Sequence, residues 1–126
     1  MKKIINTPNA PTAIGTYSQA VEVNNLIFTS GQVGIDPEKG KLVTGGMEAE
    51  ARQVLKNIHL ILIDAGLNKD NIIKLTVFLT DLNQFSIINE TFKAFFEGTD
   101  FPARSTVEVS KLPLGALVEI ECIASR

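Results

Sequence analysis

Two strand-like runs in the last third of the chain each carry a charge where a core strand would prefer none. The first reads Phe101-Pro102-Ala103-Arg104-Ser105-Thr106-Val107-Glu108-Val109, the second Leu117-Val118-Glu119-Ile120-Glu121-Cys122-Ile123. Arg104, beside Pro102 and Ala103 at the start of its run, suits the capture of a carboxylate. Its planar fork of donors matches that group bidentately and stays charged at any working pH. Glu119, walled by Val118 and Ile120, suits holding or polarising a water beside the same ligand. On residue type alone, an ion pair with Glu108 or Glu121 explains Arg104 as well, and a solvated strand carboxylate explains Glu119.

The elements that must position these residues follow from periodicity. Ala20 to Val23 and Leu26 to Gly31 read as a hairpin with Asn24-Asn25 as its turn. Asp36-Pro37-Glu38-Lys39-Gly40 is a further turn, and Gly45-Gly46 ends a loop. Apolar residues at Ala51, Val54, Leu55, Ile58, Ile61, Leu62 and Ala65 then form a helical stripe that stops at Gly66. Ile72 to Leu79 is a strand. Phe85, Ile88, Phe92, Phe95 and Phe96 form a second helical stripe, ending at Gly98. Ala103 to Val109 and Leu117 to Ala124 close the chain around the Leu112-Pro113-Leu114-Gly115 loop.

The expected order is ββ(β)αβαββ: an α+β domain in which two helices cover one face of a mixed sheet. Several strands are apolar on both faces, whereas a sheet wet on one side alternates more cleanly. The uncovered face is therefore expected to pack on other copies of the chain. If the last two strands pair as a simple antiparallel hairpin, matching Val109 with Leu117 puts Arg104 and Glu119 on opposite faces. A shared site then needs a shifted register or a bulge, with Gly115 the candidate position.

The bulk properties narrow the function. At 126 residues, residues 1–126 fit a single domain with a real core. A formal charge of −2 with scattered Lys and Arg argues against a nucleic-acid surface. Cys122 is the only cysteine, so neither an intrachain disulfide nor a paired-cysteine metal knuckle is possible. No apolar run approaches a membrane span, and the N-terminal Met1-Lys2-Lys3-Ile4-Ile5 meets Pro8 too soon for a signal peptide. A cytoplasmic setting with no membrane partner is the expectation. His59, between Ile58 and Leu60, has no partner pattern and reads as helix rim; Cys122 reads as a small core residue.

With these residues in view, the chain resembles the RidA family, also called YjgF. The similarity runs from Pro11-Thr12-Ala13-Ile14-Gly15-Thr16-Tyr17-Ser18-Gln19-Ala20 through Thr29-Ser30-Gly31-Gln32 to Pro102-Ala103-Arg104-Ser105, and on through Leu112-Pro113 to Val118-Glu119-Ile120-Glu121. The resemblance implies a chorismate-mutase-like fold assembled as a homotrimer around a central β-barrel. It implies metal-free and cofactor-free hydrolysis of reactive 2-imino acids and their enamines, such as 2-iminobutanoate and 2-iminopropanoate, to 2-oxo acids and ammonia. The sites would lie in clefts between subunits. Carried over by position, Arg104 would clamp the substrate carboxylate and Glu119 would position water. Tyr17 and Ser30, from the adjacent subunit, would line the pocket, with Gly31 allowing close backbone approach and Asn89 near it. Many relatives have cysteine where this chain has Thr106, which puts any role of that thiol in doubt here. A non-catalytic sensor of small 2-oxo acids is the alternative implied by the same clefts; endoribonuclease or translation-inhibitor activity fits the acidic balance less well.

Overall fold

The computed structural model describes all 126 residues. Its main sheet begins at a short strand, β1 (Lys3–Ile5), followed by β2 (Ala20–Val23) and β3 (Leu26–Thr29). The β2–β3 turn is the expected one. Asn24 and Asn25 take φ values of 49° and 66°, and Val23 faces Leu26. Two successive positive φ values give the turn whose twist matches paired strands, and asparagine tolerates that region better than most residues. Next come β4 (Gln32–Val33), which pairs with the last strand, and a separate two-stranded ribbon of β5 (Ile35–Asp36) and β6 (Lys41–Leu42).

Helix α1 (Gly46–Asp64) carries the expected apolar stripe into the core. Its stop at Gly66 has a definite geometry. Gly66 sits at φ 80°, its N–H donates to Ile63 O, and the Leu67 N–H reaches back to Leu62 O. Those two bonds satisfy carbonyls the helix would otherwise leave open, and the left-handed residue between them favours glycine. Strand β7 (Ile72–Leu79), helix α2 (Phe85–Phe95), strand β8 (Ala103–Glu108) and strand β9 (Val118–Ser125) complete the chain.

The strand order is β1-β2-β3-β9-β7-β8. This corrects the hairpin expected of the last two strands. β8 and β9 do not touch; β7 lies between them, parallel to β8 and antiparallel to β9. The reason is the helix connecting β7 to β8, since a helical crossover returns the chain in the same direction and delivers a parallel neighbour. No bulge forms at Gly115. The only irregularity between β7 and β9 is at Ile72 and Lys74.

Both helices lie on one face of the sheet. Leu75, Val77 and Leu79 of β7 and Val118, Ile120 and Cys122 of β9 point into a continuous core with Val54, Ile58 and Ile61 of α1 and Ile88 and Phe92 of α2. The opposite face has no covering element. Across it Ile4, Val21, Phe28 and Ile123 stand opposite one another on β1, β2, β3 and β9, and Ile4 and Phe28 are exposed. The apolar character on both faces, visible in the sequence, is thus a face packed on helices and a face left bare within one chain.

Two polar side chains of α1 are buried among this apolar packing. Asn57 is fully buried; its Nδ2 donates to Ile35 O at 2.9 Å and Val33 O at 3.4 Å, while its Oδ1 accepts from Gln53 at 2.8 Å. Glu50 accepts the Leu117 N–H at 2.9 Å. Through these bonds α1 grips the segment at β4–β5 and the root of β9. Asn57→Leu strands the carbonyls that the amide satisfies, at a cost of about 2 kcal/mol. Urea unfolding should show a lower midpoint with an unchanged slope; a midpoint equal to that of the parent would remove Asn57 from the account.

Candidate functional site

The alternation of side chains along the strands decides where the two charged residues go. Arg104 stands opposite Leu75, and Leu75 opposite Cys122, both of which face the helices. Glu119 stands opposite Phe78, one step along, and so projects from the uncovered face. The structure therefore does not bring Arg104 and Glu119 together within one chain. It places each in its own partial site.

The Glu119 half is a cleft of about 290 Å³ lined by Pro11, Ile14, Tyr17, Ser30, Gly31, Val33, Ile35, Pro113 and Glu119, among others. Its outer wall is the segment from Thr7 to Gln19, held by one buried side chain. Gln19 Oε1 accepts from Thr7 N at 2.7 Å, and its Nε2 donates to Thr7 O at 3.0 Å and Pro11 O at 2.9 Å. A saturated buried amide of this kind fixes a loop with no regular structure of its own. The segment carries Tyr17, whose hydroxyl accepts from Ile14 N at 3.3 Å, leaving its own hydrogen free. Ser30 ties in from the other side. Its N–H donates to Gln19 O at 2.9 Å and its hydroxyl donates to Ser18 O at 2.6 Å.

Gly31 has a specific reason to be glycine. A Cβ there would lie 2.7 Å from Glu119 Cδ, which no real contact tolerates. The carboxylate thus rests directly on the Gly31 backbone. Burial first, and the neighbouring Glu121 charge second, push the Glu119 carboxyl above its ordinary value. A group poised this way is a stronger base near neutrality than an exposed glutamate.

The Arg104 half lies on α2. The guanidinium Nη2 donates to Asn89 Oδ1 at 2.8 Å, and its carbon sits 5.2 Å from the Phe85 ring and 5.0 Å from the Phe92 ring. The rings face a planar cation favourably and keep it from collapsing onto a carboxylate of the same chain. Neither Glu108 nor Glu121 pairs with it: Glu108 accepts from Leu82 N instead. Burial lowers the Arg104 value from its very high ordinary one, which leaves it charged. One donor serves Asn89, so the rest of the fork is available. Thr106, two residues on and on the same face, has a buried hydroxyl oxygen with no hydrogen-bond partner. β8 is an edge strand; exposed Phe85 and Phe101 border the Arg104 side, and exposed Val107 of β8 projects from the opposite face.

His59 and Cys122, expected at a helix rim and in the core, stand there. His59 stacks edge-on against Phe95, and burial followed by the Lys69 charge lowers its value. It lines a groove of about 770 Å³ between α1 and α2 that includes neither Arg104 nor Glu119. Cys122 is buried and its thiol is pushed up to about 12, chiefly by burial. The sequence reading missed Gln19 and Glu50, which touch no candidate ligand but hold the segments that do. The signal was present for Gln19, a large amide between the candidate Tyr17 and Ser30, but its partners lie 8 to 12 residues back in an irregular loop.

The chain matches the family model described as Endoribonuclease L-PSP over residues 7–126. It is 51% identical to the 2-iminobutanoate/2-iminopropanoate deaminase of Mus musculus, with 98% of this chain and 91% of the relative covered. Among solved structures, a Rid-family protein of Yersinia pestis, YyfA, superimposes with a TM-score of 0.97 at 53% identity over the whole of both chains. TdcF of E. coli, crystallised with bound serine, does so with a TM-score of 0.94 at 45% identity, covering 98% of each chain.

The raised Glu119 value has a testable sign. A carboxyl whose value is higher in the folded state favours folding while protonated and loses that contribution as pH rises through its folded value. Glu119→Gln removes the penalty of a half-buried charge. Thermal melts should therefore show the variant more stable than the parent at neutral pH, with the difference closing as pH falls below the folded-state value. A constant difference across that range would mean that the carboxyl is not held in an unfavourable charged form.

Proposed function

From the premise that the chain belongs to the RidA (YjgF, Endoribonuclease L-PSP) family, we propose that it hydrolyses 2-imino acids such as 2-iminobutanoate and 2-iminopropanoate. The products are the 2-oxo acid and ammonia. The work is done by side chains alone, in clefts shared by adjacent subunits of a homotrimer. A cytoplasmic setting belongs to the same proposal, as does independence of nucleic acid, metal and organic cofactor. The chain's similarity to a curated deaminase over nearly its full length supports the chemistry.

The observation that carries the reading is the division of the site. Arg104 and Glu119 project from opposite faces of one sheet. A small anion touching both must sit between two copies of the chain. Each half is also rimmed by exposed apolar side chains: Phe85 and Phe101 near Arg104, Ile14 and Tyr17 near Glu119. Exposed apolar rims around unfinished polar sites suit surfaces that close on each other.

The chemistry then follows from the groups present. The free donors of Arg104 take the substrate carboxylate, and Phe85 and Phe92 shield that contact, which is worth roughly 1.5–3 kcal/mol as a charge-assisted bond. Glu119, ionised and resting on Gly31, accepts a proton from a water directed at the C=N carbon. Oxygen bonds to that carbon as the π electrons move to nitrogen, which takes up a proton and gives a carbinolamine. A second proton reaches nitrogen, the C–N bond breaks, and ammonia leaves as the hydroxyl loses its proton and the C=O bond forms. One water is consumed and one ammonia released. Imines hydrolyse readily once oriented, so positioning and one base suffice for a modest acceleration.

A dehydratase-coupled assay tests this. Threonine dehydratase generates 2-iminobutanoate, semicarbazide traps it, and the protein should lower semicarbazone formation. Arg104→Ala and Glu119→Gln should each abolish that effect. Refolding the two variants together should restore roughly a quarter of the sites, since a random heterologous interface pairs one intact Arg104 with one intact Glu119 at about that frequency. A mixture as inactive as its parents would rule out the shared cleft. Binding of 2-oxobutanoate with no effect on trapping would mark a sensor instead.

A further inference from the structure

The hydrogen-bond polarity of Ser30 points to a more specific role than lining a wall. Its Oγ lies 2.6 Å from the carbonyl oxygen of Ser18. A carbonyl only accepts, so the single hydroxyl hydrogen of Ser30 is committed to that bond. What Ser30 offers the cleft is lone pairs alone. The commitment is firm because Ser18 cannot drift. Its neighbour Gln19 is pinned to Thr7 and Pro11 through its side chain and to the Ser30 N–H through its carbonyl.

A cleft group that can only accept distinguishes the two ends of the proposed reaction. A 2-imino acid, neutral or protonated, carries an N–H at the position where its 2-oxo product carries a bare oxygen. We propose that Ser30 Oγ accepts the hydrogen of the substrate imine nitrogen, and that this polarity lets the cleft favour the imino acid over its product. The inference rests on the reading of the protein as an imino-acid hydrolase. Facing the imine nitrogen, Ser30 gains a bond; facing the ketone oxygen, it meets lone pairs with lone pairs. The carboxylate, which Arg104 holds in either case, does not discriminate.

The test compares the wild type with Ser30→Ala in the dehydratase and semicarbazide assay, with 2-oxobutanoate added as a competing product. Alanine removes the acceptor but keeps the backbone bond from residue 30 to Gln19, so the outer wall stays anchored. Loss of one hydrogen bond to an N–H should lower kcat/KM for the imino acid about tenfold while the inhibition constant of 2-oxobutanoate stays within about twofold. That constant also reports an intact cleft. Equal weakening towards both molecules would reduce Ser30 to a structural tie, and unchanged turnover would remove it from recognition; either result overturns the inference alone. A wild type that leaves trapping unaffected removes the inference together with the reading beneath it.

Discussion

Side-chain parity is the constraint on which the rest of the structure depends. In a sheet, a residue and its partners across the neighbouring strands share one face, and the next residue along takes the other. Arg104 shares its row with Leu75 and Cys122; Glu119 shares its row with Phe78 and Val107. No rotamer or loop adjustment moves either to the other side. A chemistry that needs both is therefore divided between surfaces, and the helices that stabilise the monomer occupy only one of them. The helix-covered face holds Arg104 at its edge. The bare face, with the Gln19-anchored segment folded over its end, holds Glu119.

That parity was partly legible in the sequence and partly not. The β2–β3 turn at Asn24-Asn25, the stop of α1 at Gly66 and the apolar stripe of α2 are local features, set by φ preferences and a period of 3.6, and each stands where its residues indicate. Strand order is not local. Reading the last two strands as a hairpin ignored the strand–helix–strand unit formed by β7, α2 and β8, which demands parallel neighbours. With β8 placed beside β7, the nine residues between β8 and β9 carry the chain past β7 to its other edge. The sequence pattern located Arg104 and Glu119; only the topology says that they cannot meet within one chain.

The hidden supports were illegible for a different reason. Apolar spacing marks the buried face of a helix and passes over polar residues on it. Glu50 and Asn57 lie seven residues apart, on the side of α1 that also presents Val54 and Ile61, and they are buried with them. Such groups are tolerated because each has a backbone partner to satisfy: Leu117 N for Glu50, Ile35 O and Val33 O for Asn57. They occupy sites where leucine would pack. What they supply is placement, since Val33, Ile35 and the Pro113 loop all border the Glu119 cleft. A helix stripe made of leucine alone would give a core of equal size and leave those segments to find their own position.

The electrostatics of the two halves bear on why the proposed division between copies suits the proposed chemistry. Arg104 and Glu119 within contact distance would neutralise each other: the guanidinium would pull the carboxyl down, and the fork would have no donors left for a substrate. Held on opposite faces, each keeps the state its task requires. Burial and Glu121 push Glu119 upward, while Arg104 rests on two aromatic rings and one amide oxygen with donors to spare. In the proposed assembly the cleft closes from both sides, so that a carboxylate-bearing substrate enters as a third party between them. It satisfies the cation at one end and presents its electrophilic carbon to the base at the other. The same closure excludes water from the Arg104 contact and raises the strength of a charged bond that solvent would otherwise screen. In that proposal, assembly and activation are a single event.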